Sequence, residues 1–343
     1  LSFAEISPSM KHDWLNLTSN DFDSFIPIAD KKTKSVKVGG QERAIFKLFS
    51  LGVVTARDEW VYDHNPNFLR KKVNVLVDSY NVERERLSLA RKSDKLSEML
   101  DYSIKWTRAV KNDLRKNIKY DFSDGEIRTS LYRPFVSLPL YFSKRLNEMT
   151  YQMGSLFPQK STKNFYLAIV AGSRLDFSAL AGAAIPNYAM YSLDPAQCLP
   201  RWRYDGLTKI DNITDWALKQ FQAQYEKGEK KPKRPITKDA IFHYVYGVLQ
   251  NPAYREKYAQ NLKREFPRIP FYVDFWRWAE WGEKLMALHI GYETVDPWVL
   301  KRIDVVDEKS AKAGLAPKAM LKADKDAGTI QLDSETQLTG IPA

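Results

Sequence analysis

One cysteine, Cys198, stands among 343 residues, so neither an internal disulfide nor a cysteine-built zinc site can form within the chain. Such sparing use fits a reducing cytosol, and a cytoplasmic protein is expected. Histidine is scarce too: His12, His64, His243 and His289 are scattered and lack metal-ligand spacing. No apolar run approaches the roughly 18 residues that a membrane span needs. The first residues, LSFAEISPSMKHDW, meet acidic and polar side chains too early for a signal peptide. The sequence contains no Gly-Lys phosphate loop and no nucleophile elbow. The chain begins at Leu1 rather than methionine and its last residues, LDSETQLTGIPA, stop in mid-pattern, so a fragment of a longer protein is expected.

What is present is a core-forming, basic chain. Hydrophobic residues make up 44%, with 18 Tyr, 17 Phe and 9 Trp, which is enough for one large domain or two lobes and excludes disorder of the whole. Fifty-three Lys and Arg oppose 42 Asp and Glu, a net charge of +11. That balance favours a polyanionic partner, most often nucleic acid.

Periodicity places the elements. Residues 43–49 alternate as a strand buried on both faces, and 164–171 form the clearest buried strand. Further short strands are expected at 127–142 and 187–192. Leu69, Val73, Leu76, Val77 and Tyr80 make a helical stripe, which Leu96, Met99, Leu100, Val110 and Leu114 continue. The opposite faces carry Lys and Arg, a solvated surface or a track for a duplex backbone. Ile241, Tyr244, Val245 and Val248 mark one helix. Asn251 before Pro252 then caps a second, with Tyr254, Tyr258 and Leu262 on one face. Phe275, Trp278, Gly282 and Leu285 space a third. Gly328 to Leu332 is expected as a short edge strand. The fold class is therefore α+β: a central mixed sheet of short strands flanked by helices, with a helical C-terminal lobe. The linker at 226–238, EKGEKKPKRPITK, divides a lobe at 1–235 from one at 236–343.

Three local patterns carry chemistry and weigh differently. Asn65-Pro66-Asn67-Phe68 is similar to the Asn-Pro-Pro-aromatic motif that holds a flipped adenine, but its third residue is Asn and no Gly-rich turn precedes it, so it reads as a helix cap. Asp215 with Glu229-Lys230-Lys231 matches a nuclease pattern by chance, since the Glu-Lys pair sits in the linker. Thr55, Arg57 and Asp58 combine a hydroxyl, a guanidinium and a carboxylate. They suit base-edge reading, because arginine grips guanine with two hydrogen bonds; the alternative is an internal network that braces the loop.

Several blocks resemble the C-terminal specificity domain of type ISP restriction-modification enzymes. These are IFKLFSLGVVTARDEWVYD at Ile45 to Asp63, YRPF at Tyr132 to Phe135, IPNYAMYS at Ile185 to Ser192, the run from Tyr244 to Phe271, and LKADKDAGTIQLD at Leu321 to Asp333. Departures are Val136-Ser137-Leu138-Pro139 after YRPF and Leu199-Pro200-Arg201 for the family's Phe-Pro-Leu; the family's final helix after Gly340-Ile341-Pro342 is missing. The resemblance implies a non-catalytic target recognition domain, of which both lobes are parts. It would give DNA sequence specificity to an upstream adenine methyltransferase and ATP-dependent translocase and nuclease. S-adenosylmethionine, ATP and magnesium would bind those upstream domains and not this chain. The implied partners are double-stranded DNA and the methyltransferase domain of the same polypeptide, in a monomer. Base-reading candidates are Thr55, Arg57, Asp58, Arg174, Asp176, Arg201 and Arg203. Backbone candidates are Lys47, Lys144, Arg145, Lys230, Lys231, Lys233 and Arg234. The competing reading is a protein-interaction scaffold that packs against its neighbouring domains without reading bases.

Overall fold

Tyr166–Val170 is the strand on which the larger part of the molecule is built, and all five residues are buried. Successive side chains of a strand point to opposite faces, so this run feeds two cores at once. Tyr166, Ala168 and Val170 enter one apolar cluster, while Leu167 and Ile169 enter the other. The strand pairs antiparallel with Ser178–Gly182 on one side and Gln197–Pro200 on the other, and Ser50–Leu51 closes the far edge. This computed structural model describes residues 7–8, 12, 14, 20–37, 40–171, 175–191, 194–226 and 234–342. The chain divides into two compact units, Leu1–Glu293 and Thr294–Ala343.

One face of the sheet is covered by helix Pro66–Arg86, helix Arg108–Arg115 and the hairpin of Gly125–Arg133 with Val136–Ser143. Asn65 is the helix cap expected: its side chain accepts from the amides of Asn67 and Phe68. The predicted stripe from Leu69 to Tyr80 is buried, and Tyr80 stacks on Tyr120 at 3.8 Å. Met99 departs from the expected stripe and is exposed, because the helix ends at Arg86 and only a four-residue turn, Leu96–Met99, follows. Strand Gly125–Arg133 also pairs in parallel with Ile185–Pro186, which makes this three-stranded sheet mixed.

The other face carries helices Asp215–Tyr225, Lys238–Gln250, Pro252–Lys257 and Phe275–Ile290. Helix Lys238–Gln250 shows more than one apolar stripe, since Tyr244 through Leu249 are all buried. It lies between the sheet and helix Phe275–Ile290. A Cβ on Gly282 would stand 1.9 Å from the His243 carbonyl oxygen, and one on Gly247 2.7 Å from that of Trp278. Toward the sheet, the Tyr246 hydroxyl accepts from the Ala181 amide at 3.1 Å, and Gln250 Nε2 donates to the Ala179 carbonyl at 2.9 Å. Two side chains thus satisfy the open edge of strand Ser178–Gly182, which would otherwise be free to pair with another chain. Residues 236–290 therefore belong to the same unit as the sheet, and the unit boundary falls after Glu293, not at 235/236.

Two strand expectations change. Residues 44–49 are buried at Ala44, Ile45, Phe46 and Phe49, yet form no regular strand. Their amides bond first to the carbonyls of the adjacent Pro27 and Ile28 and then to that of Asn212, in a different segment. The strand expected at 187–192 is instead Ile185–Pro186, followed by turns. The second unit is an antiparallel sheet of four strands in the order Lys301–Asp304, Thr336–Thr339, Thr329–Asp333, Ala319–Asp324. The expected edge strand near Gly328 is real but internal to this sheet, and helix in the C-terminal part is largely confined to residues before 291. Among the described residues, no helix is long and apolar enough to cross a membrane.

Candidate nucleic-acid interface

Strand register decides which candidates meet. Leu51 pairs with Gln197, and Gln197 with Ile169; Val170 pairs with Ser178. The segments after Leu51, before Gln197, after Val170 and before Ser178 therefore leave the sheet at one end. Val53 bridges to Asn187 and Val54 to Met149, so the loop at 144–152 joins them. The hairpin tip is at this end too, because Leu131 pairs with Pro186, beside Asn187. Ala56, within the loop, holds φ +56, a left-handed conformation uncommon for alanine.

Within that loop the bracing alternative is present, though not as an Arg57–Asp58 pair. The Thr55 hydroxyl donates to Asp58 Oδ1, and the Tyr132 hydroxyl donates to Asp58 Oδ2 at 2.9 Å. Asp58 thereby ties the loop to the hairpin tip, two of the segments that carry the sequence resemblance. Arg57 is 1% exposed, and its Nη2 donates to the Thr107 hydroxyl. Its Nε and Nη1 have no partner, and burial pulls the guanidinium below its ordinary value. The Arg57 side chain is thus turned into the protein interior. Its role is to hold Thr107, and with it the flanking Lys105 and Arg108, against the loop. Lys105 lies 3.8 Å from Glu59, and Arg108 lies 3.7 Å from Glu148 with 84% of its side chain exposed. The Lys105–Glu59 pair is exposed on both sides and contributes little to stability, so a phosphate can replace that carboxylate at small cost.

The remaining candidates separate. Asp176 is exposed at the same end and pairs with Lys263 at 3.1 Å. Arg174 lies outside the described residues. Arg201 and Arg203 follow the other end of strand Gln197–Pro200 and so stand away from the loops. Arg201 is 4% exposed, bonded at 2.6 Å to both Asp211 and Asp239 and stacked on Trp202. Like Arg57 it is buried and engaged internally. Arg203 is half-buried, with Nε on the Asp211 carbonyl. Lys47 is a brace: its ammonium donates to the Thr33 and Val36 carbonyls and pairs with Glu42. Lys144 is exposed, Arg145 sits 3.8 Å from both Asp113 and Asp124, and Arg234 stacks on Trp276 and bonds Glu280. Lys230, Lys231 and Lys233 lie outside the described residues. Sequence reading missed Tyr132 and Lys263; their partners are 74 and 87 positions away, a pairing that one sequence does not reveal.

Residues 44–343 match the family described as the Type ISP C-terminal specificity domain. Among solved structures, the whole chain aligns with 34% of the chain in a DrdV–DNA complex determined by cryo-electron microscopy, at 45% identity and TM-score 0.87. It aligns equally completely with 30% of a nuclease-deletion mutant of the Type ISP restriction-modification enzyme LlaGI in complex with a DNA substrate mimic, at 27% identity and TM-score 0.77. The ATP-dependent Type ISP restriction-modification enzyme LlaBIII bound to DNA shares the fold, with 98% of this chain on 21% of that one, 21% identity and TM-score 0.77. The chain thus spans about a third or less of each of these proteins. No curated protein matches it.

Proposed function

The chain belongs to the Type ISP C-terminal specificity domain family, and we propose that it selects the DNA sequence on which a longer restriction-modification polypeptide acts. The observation that carries this reading is the full-length match, at 45% identity, to a protein solved in complex with DNA. The end of the sheet that gathers the loops at 52–58, 171–177 and 187–196 is the base-reading surface. Asp58 and Asp176 accept there from exocyclic amino groups, Thr55 helps to set Asp58, and Arg174 grips guanine. Lys105, Arg108, Lys144 and Lys263 neutralise phosphates and set register. Arg57 acts by holding the loop in place.

Catalysis belongs to the rest of the polypeptide. The chain in the DrdV–DNA complex is about three times as long as this one, which leaves room for an adenine methyltransferase and an ATP-dependent translocase and nuclease. S-adenosylmethionine, ATP and magnesium bind there, the methyltransferase is the neighbouring partner, and the polypeptide works as a cytoplasmic monomer. The test is an exchange of residues 45–63 and 170–205 for those of a relative with another target, followed by mapping of methylated adenines in cells that express the full-length protein. The methylated sequence should change. An unchanged sequence removes the loops from base reading.

A further inference from the structure

Residues 294–343 differ from the rest of the chain in charge. They carry seven Lys and Arg against eight Asp and Glu, so the chain's +11 is +12 on residues 1–293 and −1 on residues 294–343. A unit of that balance has no general electrostatic attraction for a polyanion. The unit also lacks a core of its own. Among its described residues only Thr336 is buried. Register places Leu338, Ile330 and Ala323 in one row across the sheet, ending on Arg302, which is bonded to Asp304, and Leu332 shares that face with Ile330. The opposite face carries Ile303, Gln337, Gln331 and Lys322. Around this sheet Val299 is 90% exposed, Leu321 77% and Val305 68%. Leu321 sits at a register shift with φ +45, a strained conformation that keeps a large apolar side chain outward. Fifty residues with no buried apolar side chain do not support a stable fold alone.

We propose that residues 294–343 are a docking unit whose apolar, near-neutral surface is covered by the remainder of the same polypeptide, leaving DNA to residues 1–293. The inference rests on the reading of the chain as the specificity part of a longer protein. The relatives' chains are about three or more times as long, so the covering surface is tethered and present at high effective concentration. An apolar face on a unit of net charge −1 fits a protein surface of ordinary composition.

Hydrogen exchange tests this by comparing the 343-residue chain with the full-length polypeptide, both without DNA. Amides of 298–306 and 319–324 should exchange at least tenfold more slowly in the full-length polypeptide, and added duplex should slow them no further. Substituting Val299→Ser together with Leu321→Ser should abolish that slowing while the circular dichroism of the 343-residue chain stays the same. Equal exchange in the two proteins overturns the proposal, as does slowing that appears only with duplex or that survives the double substitution. Slowing in the 343-residue chain that grows with its concentration assigns the face to a second copy instead. A failed loop exchange at 45–63 and 170–205 would remove the DNA-reading function whatever the amides show, so the two failures are distinguishable.

Discussion

At the scale of the residue, burial separates arginines that brace from those that can read. Arg201 is nearly out of water, whereas its partners are not: the Asp239 side chain is 65% exposed. Removing the arginine leaves carboxylates that water can reach, so Arg201→Met should cost about 1–2 kcal/mol. Replacing Asp211 and Asp239 together by Asn leaves a buried guanidinium without its counter-charges and should cost about 3 kcal/mol or more. Urea denaturation of both variants checks the order; the reverse order would mean that Arg201 stabilises by packing on Trp202 alone. A second residue sets an acid limit. Glu83 accepts two bonds from Arg86, at 2.6 and 2.7 Å, and one from the Asp101 amide, and the Arg86 bonds chiefly hold its carboxyl below the ordinary value. A depressed folded value means that this stabilisation is complete above the unfolded value of about 4.3 and is lost as pH falls through the folded one. The wild type should exceed Glu83→Gln in stability at pH 7, and the gap should close on acidification toward pH 3.

Elements whose pattern is local were legible, and those whose hydrogen bonds are scattered were not. Tyr166–Val170 was readable because five consecutive apolar residues need two cores, and Asn65 and Asn251 were readable because each precedes a proline that opens a helix. Residues 44–49 have the same apolar density, but their amides divide between two distant segments, at 27–28 and at Asn212, so no continuous ladder forms. Apart from the strand expected near Gly328, the sheet at 301–339 escaped because its strands bury almost nothing and so lack alternation. In the interface the Thr55–Arg57–Asp58 cluster was visible as residue types, whereas its anchors Tyr132 and Thr107 lie far along the chain. The close approach of two helices was likewise hidden in two glycines. A methyl group at Gly282 meets backbone, which cannot move aside as a side chain would, so Gly282→Ala should destabilise by about 3 kcal/mol. Gly154→Ala, which meets nothing within 4 Å, is the matched control and should be neutral or slightly stabilising by thermal denaturation.

At the scale of the whole molecule, the division of charge makes a prediction about salt. Neutralising 6–10 phosphates makes affinity fall by about 10³–10⁵ between 50 and 200 mM salt, with a logarithmic slope set by the number of contacts. If residues 1–293, with charge +12, face the duplex, each phosphate-contacting cation there should be countable. Arg108→Gln or Lys144→Gln in the full-length protein should reduce the slope by about 1 and weaken target and unrelated duplexes alike. Asp58→Asn should leave the slope unchanged and instead relax which sequence is methylated, because it removes an acceptor rather than a phosphate contact. Lys318, Lys322 and Lys325 are the lysines grouped along residues 318–325 of the second unit. Their joint replacement by Gln should leave the slope unaltered, since a docking surface does not release counterions from DNA. A drop of about 3 would place those lysines on phosphates and make the C-terminal sheet part of the DNA-binding wall.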